Sequence, residues 1–317
     1  MEDENGVKEF RILVGTLEYD QYGKRVINGL EFGNSGEQIA ISTVEGLETP
    51  PIRNNTGDWS GRDGGFMSSQ LYSARTITIT GFYWDKYYAC GVDTVEREDF
   101  PESTRERLAN YLKIREMYPI FIKFMSGRVL YTRGYMIDFK MDYEFVRHGQ
   151  YQITFYCPDY ELNLAGLYGD EDSIWNRAIL HKEIFGGHLV PEDLPVLFTE
   201  GQHPTVIEYN GLIPCWPTIV LKGPSTNPTF LNTATNKYFR LGIPDEDDFT
   251  MVAGQTLIID MKNRQCLLNG KSCSMSIDPN SEWWYLIPGQ NKIYMLSHNS
   301  SDTDTAEISW TTDFQGA

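Results

Sequence analysis

The chain has 317 residues, 41% hydrophobic and 13% aromatic, which excludes wholesale disorder and leaves room for two domains with separate cores. Its formal charge is −17, from 27 Lys and Arg against 44 Asp and Glu, so sequence-specific binding to the phosphate-lined grooves of nucleic acid is excluded as its main task. No apolar run reaches the ~18–20 residues of a membrane span, and the acidic start MEDENGVKEF does not suit a signal peptide; the expectation is a soluble protein made in the cytosol, with no membrane partner.

Strand signals open the chain at RVINGLEF (Arg25 to Phe32) and QIAISTV (Gln38 to Val44). Next comes NNTGDWSGRDGG, Asn54 to Gly65, whose glycines suit turns with positive φ or close backbone approach. It reads as a structural loop feeding the following strand. That strand, RTITITGFY (Arg75 to Tyr83), sets Ile77 and Ile79 against Thr76, Thr78 and Thr80, the period of a half-buried strand.

One helix is expected from Ser103, where STRE has capping-box spacing and Leu108, Tyr111, Leu112 and Arg115 share a face; Pro119 ends it or shortly follows its end. Strands follow at IFIKF (Ile120 to Phe124), MIDFKMD (Met136 to Asp142) and YQITFYC (Tyr151 to Cys157), the middle one placing Ile137, Phe139 and Met141 on one face. Residues 161–210 change in texture, with the acidic run GDEDS and three of the five histidines, and read as an extended connector with a short helix over Ser173 to Phe185. A second β-block then starts near Cys215. PTIVLKG, KYFRLG, QTLIIDMK, CLLNGKS, WWYLIPGQNKIYML and AEISWTT are short strands, and Asn269-Gly270 is a hairpin turn. Their even spacing predicts an antiparallel sandwich of about a hundred residues.

Charge is uneven between the halves. Residues 1–160 hold 18 basic and 24 acidic side chains (18 − 24 = −6), and residues 161–317 hold 9 and 20 (9 − 20 = −11). The five cysteines (Cys90, Cys157, Cys215, Cys266 and Cys273) are widely spaced, and the nearest pair forms no CxxC, so free thiols of a reducing compartment are expected.

A search for chemistry returns nothing. Gly57 to Asp63 lacks the Lys-Ser or Lys-Thr of a Walker loop, a strand follows it where a dinucleotide site needs a helix, and Asp58 and Asp63 do not make an EF-hand. His181 and His188 in HKEIFGGH are not HExxH, and no GxSxG elbow occurs. Carboxylates from Asp245 to Asp248 sit in a polar loop, as solvated groups do. No catalytic residue, metal site or cofactor is assigned.

The order of elements carries more. GLETPPIRNNTGDWSGRDGG runs into ARTITITGFYWD, then STRERLANYLKI, RGYMIDFKMDYE and QYQITFYCPDYEL. This resembles the N-terminal domain of siphophage distal tail proteins, the baseplate-hub components of phages infecting Gram-positive hosts. Arg75, Ile77, Ile79 and Gly81 match "R-x-I-x-I-x-G", and Phe155, Cys157, Pro158 and Asp159 match "F-x-C-P-D". The second block is similar to that family's galectin-like sandwich, through Pro217, Gly223, Leu257, Asp260, Leu286, Pro288, Gly289 and Asn291.

The resemblance implies a mainly β protein with three parts. Residues 1–160 would be a β-rich, split-barrel-like, ring-forming domain with one packing helix. Residues 161–210 would be the connector, and 211–317 an antiparallel galectin-like β-sandwich. It implies a non-enzymatic structural protein of the virion tail tip, made in the host cytoplasm. Six copies would form a ring that meets the tail tube protein on one side and the tail-associated hub or lysin protein on the other. Tape measure and receptor-binding proteins are further partners, and DNA would pass through the lumen without specific binding. Candidate interface or structural residues are Gly61, Gly64, Arg75, Gly81, Trp283 and Trp284. The alternative is a carbohydrate-binding host-adhesion module. A single histidine, His298, and two arginines, Arg240 and Arg264, in the block from Cys215 argue against a sugar site.

Overall fold

The computed structural model describes residues 10–19, 25–33, 39–84, 104–142, 148–181, 204–243, 247–297 and 305–317. It is mainly antiparallel β, in two units: Met1–Ile174 with Phe314–Ala317, and Trp175–Asp313. The grouping differs from the expected parts 1–160, 161–210 and 211–317. Of the expected connector, the described residues up to Ile174 fall in the first unit and those from Trp175 in the second.

In the first unit the strands are β1 (Arg11–Tyr19), β2 (Arg25–Phe32), β3 (Ile39–Glu45), β4 (Ile52–Asp58), β5 (Gly65–Tyr72) and β6 (Arg75–Trp84). Helix α1 (Thr104–Tyr111) follows, then β7 (Met117–Lys123), β8 (Val129–Met141), β9 (His148–Cys157) and β10 (Leu162–Ala165). The main sheet runs β2-β1-β7-β8-β9-β6-β3, with β10 beside the start of β8, while among the described residues β4 and β5 pair only with each other. The period-two pattern of β6 does what its sequence says: Arg75, Ile77, Ile79, Gly81 and Tyr83 are buried and Thr76 and Phe82 are exposed. Its partner β9 buries Tyr151, Ile153, Phe155 and Cys157 into the same core.

Helix α1 buries Leu108 and packs Tyr111 on that core, and Leu112 beyond its end is buried too. Ser103 lies outside the described residues, so its cap does too. Pro119 does not stop the helix; it is buried inside β7. Pairing with β1 begins only at Ile120, so the missing Pro119 N–H removes no bond from that ladder. In β8 the expected face is broken by a bulge between Met136 and Asp138: Ile137 turns outward, while Met136, Phe139 and Met141 pack on the core.

The second unit holds β11 (Trp175–His181), β12 (Thr205–Tyr209), β13 (Thr218–Lys222), β14 (Ser225–Thr226), β15 (Thr229–Asn232) and β16 (Lys237–Arg240). It continues with β17 (Thr250–Met251), β18 (Thr256–Asp260), β19 (Gln265–Leu268), β20 (Lys271–Ser272), β21 (Gly289–Leu296) and β22 (Thr305–Thr311). One sheet runs β11-β22-β13-β18-β19-β20 and the other β12-β21-β15-β16; β14 pairs with β17. Leu180, Ile219, Leu257 and Ile308 from the first sheet meet Ile207, Phe230, Phe239 and Ile293 from the second in one core, which makes the unit a sandwich.

The expected helix over Ser173 to Phe185 is a correction. Glu171–Ile174 is a turn of 3-10 helix, and Trp175–His181 is strand β11, paired along its whole length with β22. Alternation explains it, because Ala178 and Leu180 face the sandwich core while Arg177, Ile179 and His181 are exposed. The expected Asn269-Gly270 turn is present, with φ of 50° and 78°. WWYLIPGQNKIYML is a strand only from Gly289, and there the motif has a local cause. The buried Asn291 amide accepts from Ile287 N (3.0 Å) and donates to the carbonyls of Ile287 (2.7 Å) and Gly289 (3.1 Å), fastening the bend that enters β21.

Candidate assembly surfaces and the residues that frame them

The stretch Asn54 to Gly65 is not a simple loop. Asn54–Asp58 is the second half of β4, Trp59 N donates to Gly64 O at 3.2 Å, and β5 returns from Gly65. Gly61 and Gly64 sit in the turn at φ 77° and 94°, with no atom within 4 Å of the place a Cβ would take, so they serve the backbone conformation and touch nothing. Every residue of β4 and β5 except Gly57 is exposed, Ile52, Phe66, Met67, Leu71 and Tyr72 among them. At the tip the Trp59 and Phe66 rings lie 5.0 Å apart and the Arg62 guanidinium stacks 4.1 Å from the Trp59 ring. Gly57 is needed under them, because a Cβ there would come within 2.8 Å of the Phe66 ring.

A two-stranded ribbon with no third strand or packed face is marginal in water. Contiguous exposed apolar surface is a feature of binding surfaces. A second apolar feature borders edge strand β3, a groove of about 600 Å³ lined by Phe10, Ala40, Ile41, Val44, Leu47 and Met125, among others. Sheet edges are where additional chains pair.

Arg75 frames the base of the ribbon. It is 1% exposed, and its guanidinium donates to Gly46 O (2.6 Å), Glu48 O (2.7 Å), Gln315 O (2.5 Å) and twice to Tyr160 O (3.2 and 2.9 Å). Burial lowers its pKa, partly offset by Cys157 and Glu48. Its planar fork thus fastens three separate segments, including the returning end of the chain. Gly81 has a different reason. A Cβ there would lie 1.9 Å from Ala40 O and 2.6 Å from the Tyr151 hydroxyl, which itself donates to Ala40 O at 3.0 Å.

The two tryptophans are a contrast. Trp284 is fully buried and donates from Nε1 to Phe230 O at 3.2 Å, whereas Trp283 is partly buried, its ring 4.6 Å from that of Phe239. They do not form a pair of exposed stacking platforms. Arg240 is committed to Asp278, whose backbone N–H also donates to Arg240 O (3.1 Å). His188, Asp245 and His298 lie outside the described residues.

Sequence reasoning missed the cluster of Tyr131, Arg133 and Glu171. The GDEDS run falls in the expected extended connector, yet Glu171 is 1% exposed, accepts from the Tyr131 hydroxyl at 2.5 Å and pairs with Arg133. Burial, and then the bond to Glu171, push the Tyr131 hydroxyl above its usual range. The available signal was Ile174, an apolar residue just after the acids that is buried against Phe121 and Tyr131.

Residues 210–314 match the family model for the siphovirus-type tail component, C-terminal domain. That third of the chain is similar to the C-terminal domain of siphovirus-type tail components. The fold of the chain is similar over its whole length to that of SPP1 Dit (gp 19.1), described as a paradigm of the hub adsorption apparatus in Gram-positive infecting phages, with 15% identity, a TM-score of 0.56 and coverage of 96% of this chain and 99% of that one. Two structures of the phage P2 baseplate in its activated conformation, with Ca and with Sr, align at 8% and 10% identity, TM-scores of 0.44 and 0.45, and 96% and 97% coverage of this chain and theirs. These lower scores add nothing to the argument. No curated protein matches the chain.

Proposed function

We propose that this Dit-like protein is the structural hub of a phage tail tip, closing into a six-membered ring through its first unit. The exposed β4–β5 ribbon carries this reading. A closed ring needs two different faces on each subunit. The ribbon supplies one, and the apolar groove beside β3 is the matching surface on the next copy. The tail tube protein and the tail-associated hub protein would bind the two sides of the ring, with tape measure and receptor-binding proteins as further neighbours. A chain of net charge −17 suits a lumen along which DNA slides without adhering. Packing, not catalysis, is the whole task.

Light scattering after size-exclusion chromatography, with negative-stain electron microscopy, tests the ring. Six-fold rings are expected, alone or with tail partners present. Phe66→Asp should yield a folded monomer, since Phe66 is exposed and its loss costs the subunit little. Wild-type monomers at high concentration with tail partners added, or intact rings in Phe66→Asp, would overturn the reading.

A further inference from the structure

Two of the thiols that the sequence leaves unpaired are neighbours across a hairpin. The Asn269-Gly270 turn closes β19 on β20 with Leu268 opposite Lys271 and Leu267 opposite Ser272, so the next pair outward is Cys266 and Cys273. Backbone bonding continues to that pair, Cys273 N donating to Cys266 O at 3.0 Å. Hydrogen-bonded antiparallel partners have Cα atoms about 5.5 Å apart. That lies inside the window that a disulfide spans without backbone movement. Their sulfurs are 3.0 Å apart.

Their environments differ in a useful way. Cys266 is 1% exposed in the sandwich core, whereas Cys273 is part-exposed. The sulfur–sulfur hydrogen bond with Cys266 holds the Cys273 thiol below its usual range, and that same bond with burial pushes Cys266 up. Cys157 and Cys215 are buried, and burial raises both thiols, Cys157 to about 11. Among the described cysteines, Cys273 therefore meets solvent as a nucleophile with Cys266 poised behind it.

We propose that Cys266 and Cys273 are a redox modification site that closes to an intramolecular disulfide on contact with a low-molecular-weight disulfide. The Cys273 thiolate attacks one sulfur of the reagent, forming a mixed disulfide and releasing one thiolate. Cys266 loses its proton to solvent and attacks the Cys273 sulfur, releasing the second thiolate. Two protein thiols are oxidised and one small disulfide is reduced to two thiols. The product is a covalent strap across the β19–β20 ribbon, at the edge of the six-stranded sheet. The site does not depend on the ring reading.

The full-length protein is incubated with glutathione disulfide, then denatured, alkylated with iodoacetamide, digested with trypsin and mapped by mass spectrometry. Cleavage after Arg264, Lys271 and Lys292 puts the two cysteines on separate peptides, 265–271 and 272–292. The expected result is that these two peptides are recovered joined, two hydrogens lighter, and separate on reduction, while Cys157 and Cys215 are alkylated. Cys266→Ser should instead trap one glutathione on Cys273, and Cys273→Ser should leave Cys266 unmodified. Recovery of both peptides alkylated and unlinked from the wild type, or linkage of either cysteine mainly to another, would overturn the proposal.

Discussion

Both units bury aromatic side chains, but the first also carries them exposed on a two-stranded ribbon. In the sandwich, Trp284, Tyr209, Phe230 and Phe239 are in the core, and Trp283 packs against it. In the first unit Tyr83, Tyr151 and Phe155 are in the core, while Trp59 and Phe66 stand exposed on the β4–β5 ribbon. A sandwich can cover both of its inner faces from one chain, whereas a two-stranded ribbon cannot cover itself. The ribbon thus leaves apolar side chains exposed of the kind that the sandwich encloses between its sheets. The two units also differ in continuity, since the first unit resumes at Phe314 after the whole sandwich has been inserted.

The sharpest way to break this comparison is to cut the chain at two places. Truncation after Asn210 removes the strand partners of β11 and β12 and also Gln315, an acceptor of Arg75. No soluble folded product is expected, measured by circular dichroism and proteolysis. Replacing 175–313 by a short Gly-Ser linker should instead leave a folded, ring-forming first unit. Trp175 pairs with Thr311, so the ends of the insertion run side by side, about 5 Å apart as antiparallel neighbours. Loss of rings on that replacement would show that the sandwich builds the ring.

Arg75→Met should come next in size. It leaves four part-buried carbonyl groups without their donor, and an acceptor left unmet on burial costs about 1–3 kcal/mol. Urea unfolding should show the first unit's transition moving and the sandwich's holding still. Arg75→Lys keeps the charge and should recover only part, because it lacks the fork. The mirror experiment is Trp284→Ala, expected to cost the sandwich about 3–5 kcal/mol, with Trp283→Ala costing less because its ring is partly exposed.

The smallest effect expected is one of pH, and it is confined to the sandwich. Burial alone would raise the Asp278 carboxyl, but the Asn280 backbone N–H and Arg240 overcome it and hold it below the usual carboxylate range. A depressed carboxylate stabilises above the unfolded value of about 3.9 and loses that contribution as pH falls through the folded one. Asp278→Asn should therefore destabilise by about 1 kcal/mol at neutral pH, with the difference fading below about pH 4. Thermal melts of both proteins across that range check it, and a constant difference would refute the linkage.

Much of this was legible in the chain. Strict alternation in RTITITGFY fixed both a strand and its inward face, because each residue's side is set by a two-residue period whatever packs on it. Asn269-Gly270 fixed a turn by its tolerance of positive φ, and the motifs around Asn291 lie in the part of the chain, 210–314, that matches the family model. Other features depended on partners distant in sequence. Trp175–His181 became a strand because β22, more than 120 residues later, offered it an edge, and Glu171 was buried because Tyr131 and Arg133 reached it. The bulge that expels Ile137 and the meeting of Cys266 with Cys273 likewise follow from pairing register, which local patterns constrain only weakly. Local residues set turns and faces by their own sterics; which faces meet is decided by the contacts that bury them.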